Sequence, residues 1–125
     1  MHCLDSDFLI EVLRREPRAV AALADIEAEG RPHASVITAM ELTDTDSAKA
    51  RAAALDALGT LVLEPIDGSV AIAASAMSQR LRRVGREVPR GDLLIAATCV
   101  LRDLELVSRN RRHFARIPRL RLRAW

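Results

Sequence analysis

Four side chains carry most of the chemistry this sequence could do: Asp5, Glu41, Asp92 and Asn110. Asp5 closes the first apolar run, MHCL. Glu41 falls one turn into the helix expected after a second strand. Asp92 opens RGDLLIAATCVL, the most apolar stretch of the chain, and Asn110 lies just past a fourth strand, LELVS. In an open parallel sheet, ligands bind at the carboxyl ends of the strands, near the point where strand order reverses. Each of the four residues can reach that edge. Carboxylates gathered there repel one another and cost stability unless a cation sits among them. Oxygen donors without a His or Cys cluster favour Mg²⁺ or Mn²⁺ over zinc. Such an ion would bind a phosphodiester oxygen and activate a water for in-line attack.

Each residue also has a plainer reading. Asp92, in the first turn of a helix, suits a capping role beside the unpaired amides. Asp5 and Asp7 could both cap the first helix. Asp7 is the preferred cap, since Asp5 lies inside an apolar run where burial without a partner is expensive. Glu41, between Met40 and Leu42, could be a surface residue. Asn110 could simply start the turn into RRHF. His2, His33 and His113 form no ligand spacing and read as structural or surface groups.

The elements that must position these groups can be read in order. Met1–Leu4 reads as a buried strand, followed by a short helix over Phe8–Leu13 that stops near Pro17. A second helix runs from Arg18 to Gly30. His33–Ile37 reads as strand two, Thr38–Thr43 as a helix broken at Asp44–Ser47, and Ala48–Leu58 as an Ala-rich helix ended by Gly59. Leu61–Leu63 is a third strand. Asp67 or Ser69 caps a long helix that Gly85 ends. Arg80, Arg82, Arg83 and Arg86 crowd its last turns, which suits the C-terminal dipole. The helix from Asp92 is apolar nearly all round and is expected at the centre of the fold. Leu104–Ser108 is strand four, and Leu120–Leu122 an edge strand. Alternating strands and helices predict an α/β fold with a parallel sheet of about four to five short strands, covered on both faces. No repeat or linker divides residues 1–125, so one domain is expected.

Composition narrows the class. Of 125 residues half are apolar, yet Phe8, Phe114 and Trp125 are the only aromatics, so the core is Leu, Ala, Val and Ile. No apolar run reaches membrane-spanning length, and MHCLDSDFLI lacks the basic start and cleavage site of a signal peptide. Cys3 and Cys99 both sit in apolar segments and read as core residues of a reduced, cytoplasmic protein. The net charge of +2 hides an asymmetry: residues 1–79 balance at −7 and residues 80–125 at +9, and 18 of the 19 basic residues are Arg. Guanidinium forks match phosphate oxygens, so the one-sided placement points to nucleic acid.

The stretches LDSDFLI, ASVITAMEL, GDLLIAAT and LVSRNRRHFARIP, in this order, resemble the PIN-domain ribonucleases, and most of all the VapC toxins of toxin–antitoxin pairs. The resemblance runs from Cys3 to Leu122. It implies a three-layer sandwich, a single PIN domain over residues 1–125, and metal-dependent endonucleolytic cleavage of RNA, with tRNA or ribosomal RNA as targets. It places the family's acids on Asp5, Glu41 and Asp92, which would hold Mg²⁺ or Mn²⁺. The fourth, often acidic, position falls on Asn110, with His113 or Asp7 as alternatives. One metal is expected, and a second only when RNA supplies a ligand. Arg109, Arg111 and Arg112 would hold RNA phosphates. A cognate VapB-like antitoxin and a homodimer are also implied. Competing classes are a non-catalytic RNA-binding module on the same fold and a small phosphatase with Asp5 as nucleophile.

Overall fold

The computed structural model describes residues Met1–Trp125. The elements are β1 (His2–Leu4), α1 (Ser6–Leu13), α2 (Pro17–Glu29), β2 (His33–Ser35), α3 (Val36–Thr43) and α4 (Ala48–Leu58). They continue with β3 (Val62–Glu64), α5 (Gly68–Arg83), α6 (Arg90–Arg102), β4 (Glu105–Val107), α7 (Arg111–Phe114) and β5 (Leu122–Arg123). All strand pairings are parallel, in the order β3-β2-β1-β4-β5. The chain builds outward from β1 to β3, then returns to lay β4 and β5 on the other side of β1. The reversal therefore falls between β1 and β4, where Leu4 is in register with Val107.

Strand alternation splits the core into two layers. Cys3 and Leu106 point into a core filled by Val70, Ala74, Leu93, Ile95, Ala96 and Phe114, under α5 and α6. Their neighbours Leu4 and Val107 point the other way, into a core with Phe8, Leu9, Ile26, Leu42 and Ala54 from α1 to α4. Successive residues of a strand face opposite sides, so helices must cover both. The result is the α/β three-layer sandwich with a central parallel sheet that the resemblance implied. Cys3 and Cys99 are buried free thiols.

Several boundaries differ from the sequence reading, each for a local reason. Strand two ends at Ser35, because the Ser35 hydroxyl accepts from the Ile37 amide at 3.1 Å and starts α3 at Val36. The apolar pair Val36–Ile37 is thus helical, against its β propensity. Asp7 does not cap α1. Asp5 does, its Oδ1 accepting from the Ser6 amide at 2.9 Å. α6 starts at Arg90 after Pro89, and Asp92 makes no capping bond. Asp67, not Ser69, caps α5, accepting from the Val70 amide at 3.0 Å. Gly85 ends that helix region with φ +71°, whereas Gly59 closes α4 at an ordinary φ of −62°.

Candidate active site

The site lies at the carboxyl edge of the sheet, at the reversal between β1 and β4. Asp5 leaves the end of β1, its amide still bonded to the Val107 carbonyl at 3.1 Å. That pairing sets Asp5 beside Ser108, the residue that follows β4. The Ser108 hydroxyl donates to Asp5 Oδ2 at 2.8 Å and accepts from the Asn110 amide at 3.0 Å. Asp5 is 6% exposed and Ser108 fully buried. Both Asp5 oxygens are therefore fixed, one by the Ser6 amide and one by a hydroxyl that Asn110 orients.

Asp7, the second residue of α1, reaches across to the same loop. Its Oδ2 accepts from the Arg109 amide at 3.0 Å. Its Oδ1 is buried without any hydrogen-bond partner, a state that ordinarily costs stability. Asp92 arrives from α6. Gly91 beside it faces Ile37 of α3, with 3.5 Å from a Cβ position to Ile37 Cγ2, so the start of α6 rests on the helix that carries Glu41. His113 of α7 completes the group. Its Nδ1 lies 2.5 Å from Asp92 Oδ2 and 2.8 Å from Asn110 Nδ2. An ionised carboxylate can only accept, so Nδ1 carries the proton and donates it to Asp92. Asn110 Oδ1 in turn accepts from the His113 amide at 3.3 Å and caps α7, so the turn into RRHF starts there as its plainer reading held.

The electrostatics show how closely the acids gather. Burial pushes the Asp5 carboxyl up to about 6; the Ser108 and Ser6 bonds pull it back, and the charges of Asp7 and Asp92 push it higher. Glu41 is also held above the usual carboxylate range, first by desolvation and then by the Asp92 charge, with Ser6 opposing. Four carboxylates thus converge, and His113 is the single basic side chain among them. As the side chains stand, no three His, Cys, Asp or Glu groups close around one point to hold a metal ion. The donor set nonetheless suits a hard divalent cation: it is all oxygen, mutually repulsive, and includes the orphaned Asp7 Oδ1.

Sequence reasoning placed Asp5, Glu41, Asp92 and Asn110 at one edge, and the structure brings them to one neighbourhood. It missed Ser108, and it read His113 from spacing as a structural or surface group while keeping it as an alternative to Asn110. The signal for Ser108 was available: a small hydroxyl directly after a buried strand, in the position Asp5 holds after β1. The arginines divide. Arg111 and Arg112 are exposed. The Arg109 guanidinium lies 3.6 Å over the Trp125 ring, which meets Phe8 edge-on at 5.0 Å.

Comparison with known proteins agrees with this geometry. The PIN domain family model matches residues 2–120. Ribonuclease VapC10 from Mycobacterium tuberculosis is 31% identical over 97% of this chain and 91% of its own length. Ribonuclease VapC19 from the same organism is 30% identical over 96% and 97%. Among solved structures, the DNA-bound VapBC complex from Salmonella typhimurium contains a chain with a TM-score of 0.85 and 26% identity, covering 99% of this chain and 97% of that one. A toxin–antitoxin complex from Klebsiella pneumoniae gives a TM-score of 0.79 at 28% identity, over 96% and 95%. The chain belongs to the PIN-domain family, among its VapC-type toxins.

Proposed function

We propose that this protein is a metal-dependent endoribonuclease toxin. The observation that carries the reading is the convergence of Asp5, Asp7, Asp92 and Glu41 at the strand-order reversal with one histidine to balance them. Asp5, Glu41 and Asp92 would hold Mg²⁺ or Mn²⁺, which supplies charge for a phosphodiester oxygen and an activated water. Ser108, itself oriented by the Asn110 amide, fixes the Asp5 carboxylate in one rotamer. His113 fixes Asp92 in the same way, and the Asn110 amide packs against that histidine. A ligand set held by such partners keeps its geometry when charge changes. Arg111 and Arg112, exposed at the start of α7, and Arg109, whose guanidinium stacks on Trp125, would hold substrate phosphates.

The complexes reported for VapBC relatives support a protein partner that neutralises the toxin. An apolar groove of about 410 Å³ between α1, α3 and α4, lined by Ile10, Leu13, Leu42 and Ala53, offers a surface for such an antitoxin. A homodimer is part of the same proposal. No helix is long and apolar enough to cross a membrane.

The test is direct. Purified protein is incubated with total RNA in Mg²⁺ or Mn²⁺, and the new RNA ends are sequenced. Defined cuts that vanish with EDTA and with Asp92→Asn are expected. Cleavage that survives either treatment would overturn the metal-dependent reading, and phosphate covalently attached to Asp5 would favour the phosphatase.

A further inference from the structure

Beyond His113 the surface changes sign. A hollow of about 210 Å³ opens beside it, walled by Arg86, Arg112 and Arg116 over Leu81 and Val88. A second, of about 160 Å³, shares Leu81, Arg86 and Val88 with the first and adds Arg82, Arg90 and Leu93. A third, of about 320 Å³, shares Arg82, Arg90 and Leu93 with the second and runs out over Ala71 and Ala74, between α5 and α6. Shared walls make the three one trench. It begins at the imidazole that holds Asp92 and leads away from the acids.

Five guanidiniums line this trench against one carboxylate, Glu87. The chain's arginine ion pairs are made by Arg14, Arg102, Arg121 and Arg123, and none of these lies in the trench. Of the five, Arg82 alone spends a donor, on the Ser78 hydroxyl at 2.9 Å. The dipole of α5 accounts for cations on its last turn. It does not account for their convergence with Arg112 and Arg116 from the other side of the trench. A row of free guanidinium forks is matched by a row of phosphates. Beyond the His113 imidazole at its head, which is held to Asp92, no aromatic ring lines the trench, so recognition along it falls on the backbone.

We propose that the trench is the track for the phosphodiester backbone of a single-stranded RNA leaving the cleavage site. Arg86 and Arg116 hold the phosphates next to the site, and Arg82 and Arg90 those further out. This rests on the ribonuclease reading. Binding along the track is independent of sequence and strongly dependent on salt.

The experiment measures binding of labelled single-stranded RNAs of about four and about sixteen nucleotides to the Asp92→Asn protein, across a salt series. Arg86→Ala with Arg116→Ala should weaken both RNAs. Arg82→Ala with Arg90→Ala should weaken the long RNA and spare the short one. Each pair should cost about tenfold in affinity at low salt and flatten the salt slope by about 0.7 per arginine removed. Lysine at the same positions should restore most of the slope. Arg80→Ala with Arg83→Ala removes equal charge from the same helix outside the trench and should change little. An equal loss in that control, or trench variants that bind RNA like the parent, would overturn the track. So would trench variants that lose a polyglutamate peptide and keep RNA. Wild-type protein that cleaves no RNA counts against the ribonuclease reading. Normal Asp92-dependent cleavage with unaltered binding in the trench variants counts against the track alone.

Discussion

At the amino edge of the sheet, Arg123 donates to His2 Nε2 at 3.0 Å and lies 3.4 Å from Glu29, with Glu105 3.3 Å from the same imidazole nitrogen. A guanidinium can only donate, so Nε2 accepts, and Arg123 supplies one positive charge against the two glutamates. At the carboxyl edge, Asp5, Asp7, Asp92 and Glu41 share one imidazole. One edge sets a permanent guanidinium charge against two acids, and the other sets a single imidazole against four. The same strands carry both arrangements: β1 begins at His2 and runs into Asp5, and β4 begins at Glu105 and runs into Ser108. The network around Arg123 is part of what holds the sheet together. The carboxyl edge keeps its acids mutually repulsive, which is how a binding site differs from a structural ion network.

The largest test of this contrast is chemical. Asp92→Asn should lower RNA cleavage by about 10³-fold, on the order of 4 kcal/mol of transition-state stabilisation. Glu105→Gln at the opposite edge should leave the cleavage rate near wild type. Comparable losses at the two edges, measured as single-turnover rates, would erase the distinction.

Stability should respond with opposite sign. A carboxyl whose folded pKa is raised binds its proton more tightly folded than unfolded. The stability Asp5 contributes is therefore complete below about pH 4 and is lost as pH rises through about 6. In EDTA at pH 7, Asp5→Asn should be more stable than wild type by up to about 3 kcal/mol, and the gain should disappear near pH 4. Urea melts at the two pH values measure it, and a variant less stable at pH 7 would show that the Ser6 and Ser108 bonds outweigh the burial of charge. At the amino edge Glu105→Gln should instead destabilise by about 1 kcal/mol, because it removes one of the two carboxylates that attract the Arg123 guanidinium beside the buried His2.

The smallest expected effect concerns Asn110. Asn110→Asp keeps the α7 cap and adds one negative charge beside His113. It should tighten Mn²⁺ binding by roughly fivefold, about 1 kcal/mol in a solvent-screened site. Calorimetric titration reads this out; unchanged affinity would show that Asn110 acts only through Ser108 and α7.

What the sequence determined by itself is what local pattern controls. The Ala48–Leu58 helix, the five strands and the two-faced core follow from periodicity and turn residues over a few positions at a time. The convergence of Asp5, Glu41 and Asp92 was legible because each sits next to an apolar element whose end must lie at one sheet edge. Tertiary structure decided the rest. The Ser108 hydroxyl meets Asp5 from 103 residues away, and His113 meets Asp92 from 21 residues away; no spacing rule connects such pairs, since they meet only through strand register and helix packing. The choice between Asp5 and Asp7 as the α1 cap turned on where β1 released the chain. The arginine trench is likewise a product of packing. Along the chain its cations are scattered over α5, the start of α6 and the segment around α7. They face one another because the apolar stripes of α5 and α6 must share a core with Phe114, and burying those stripes leaves the long charged side chains on the rim they have in common.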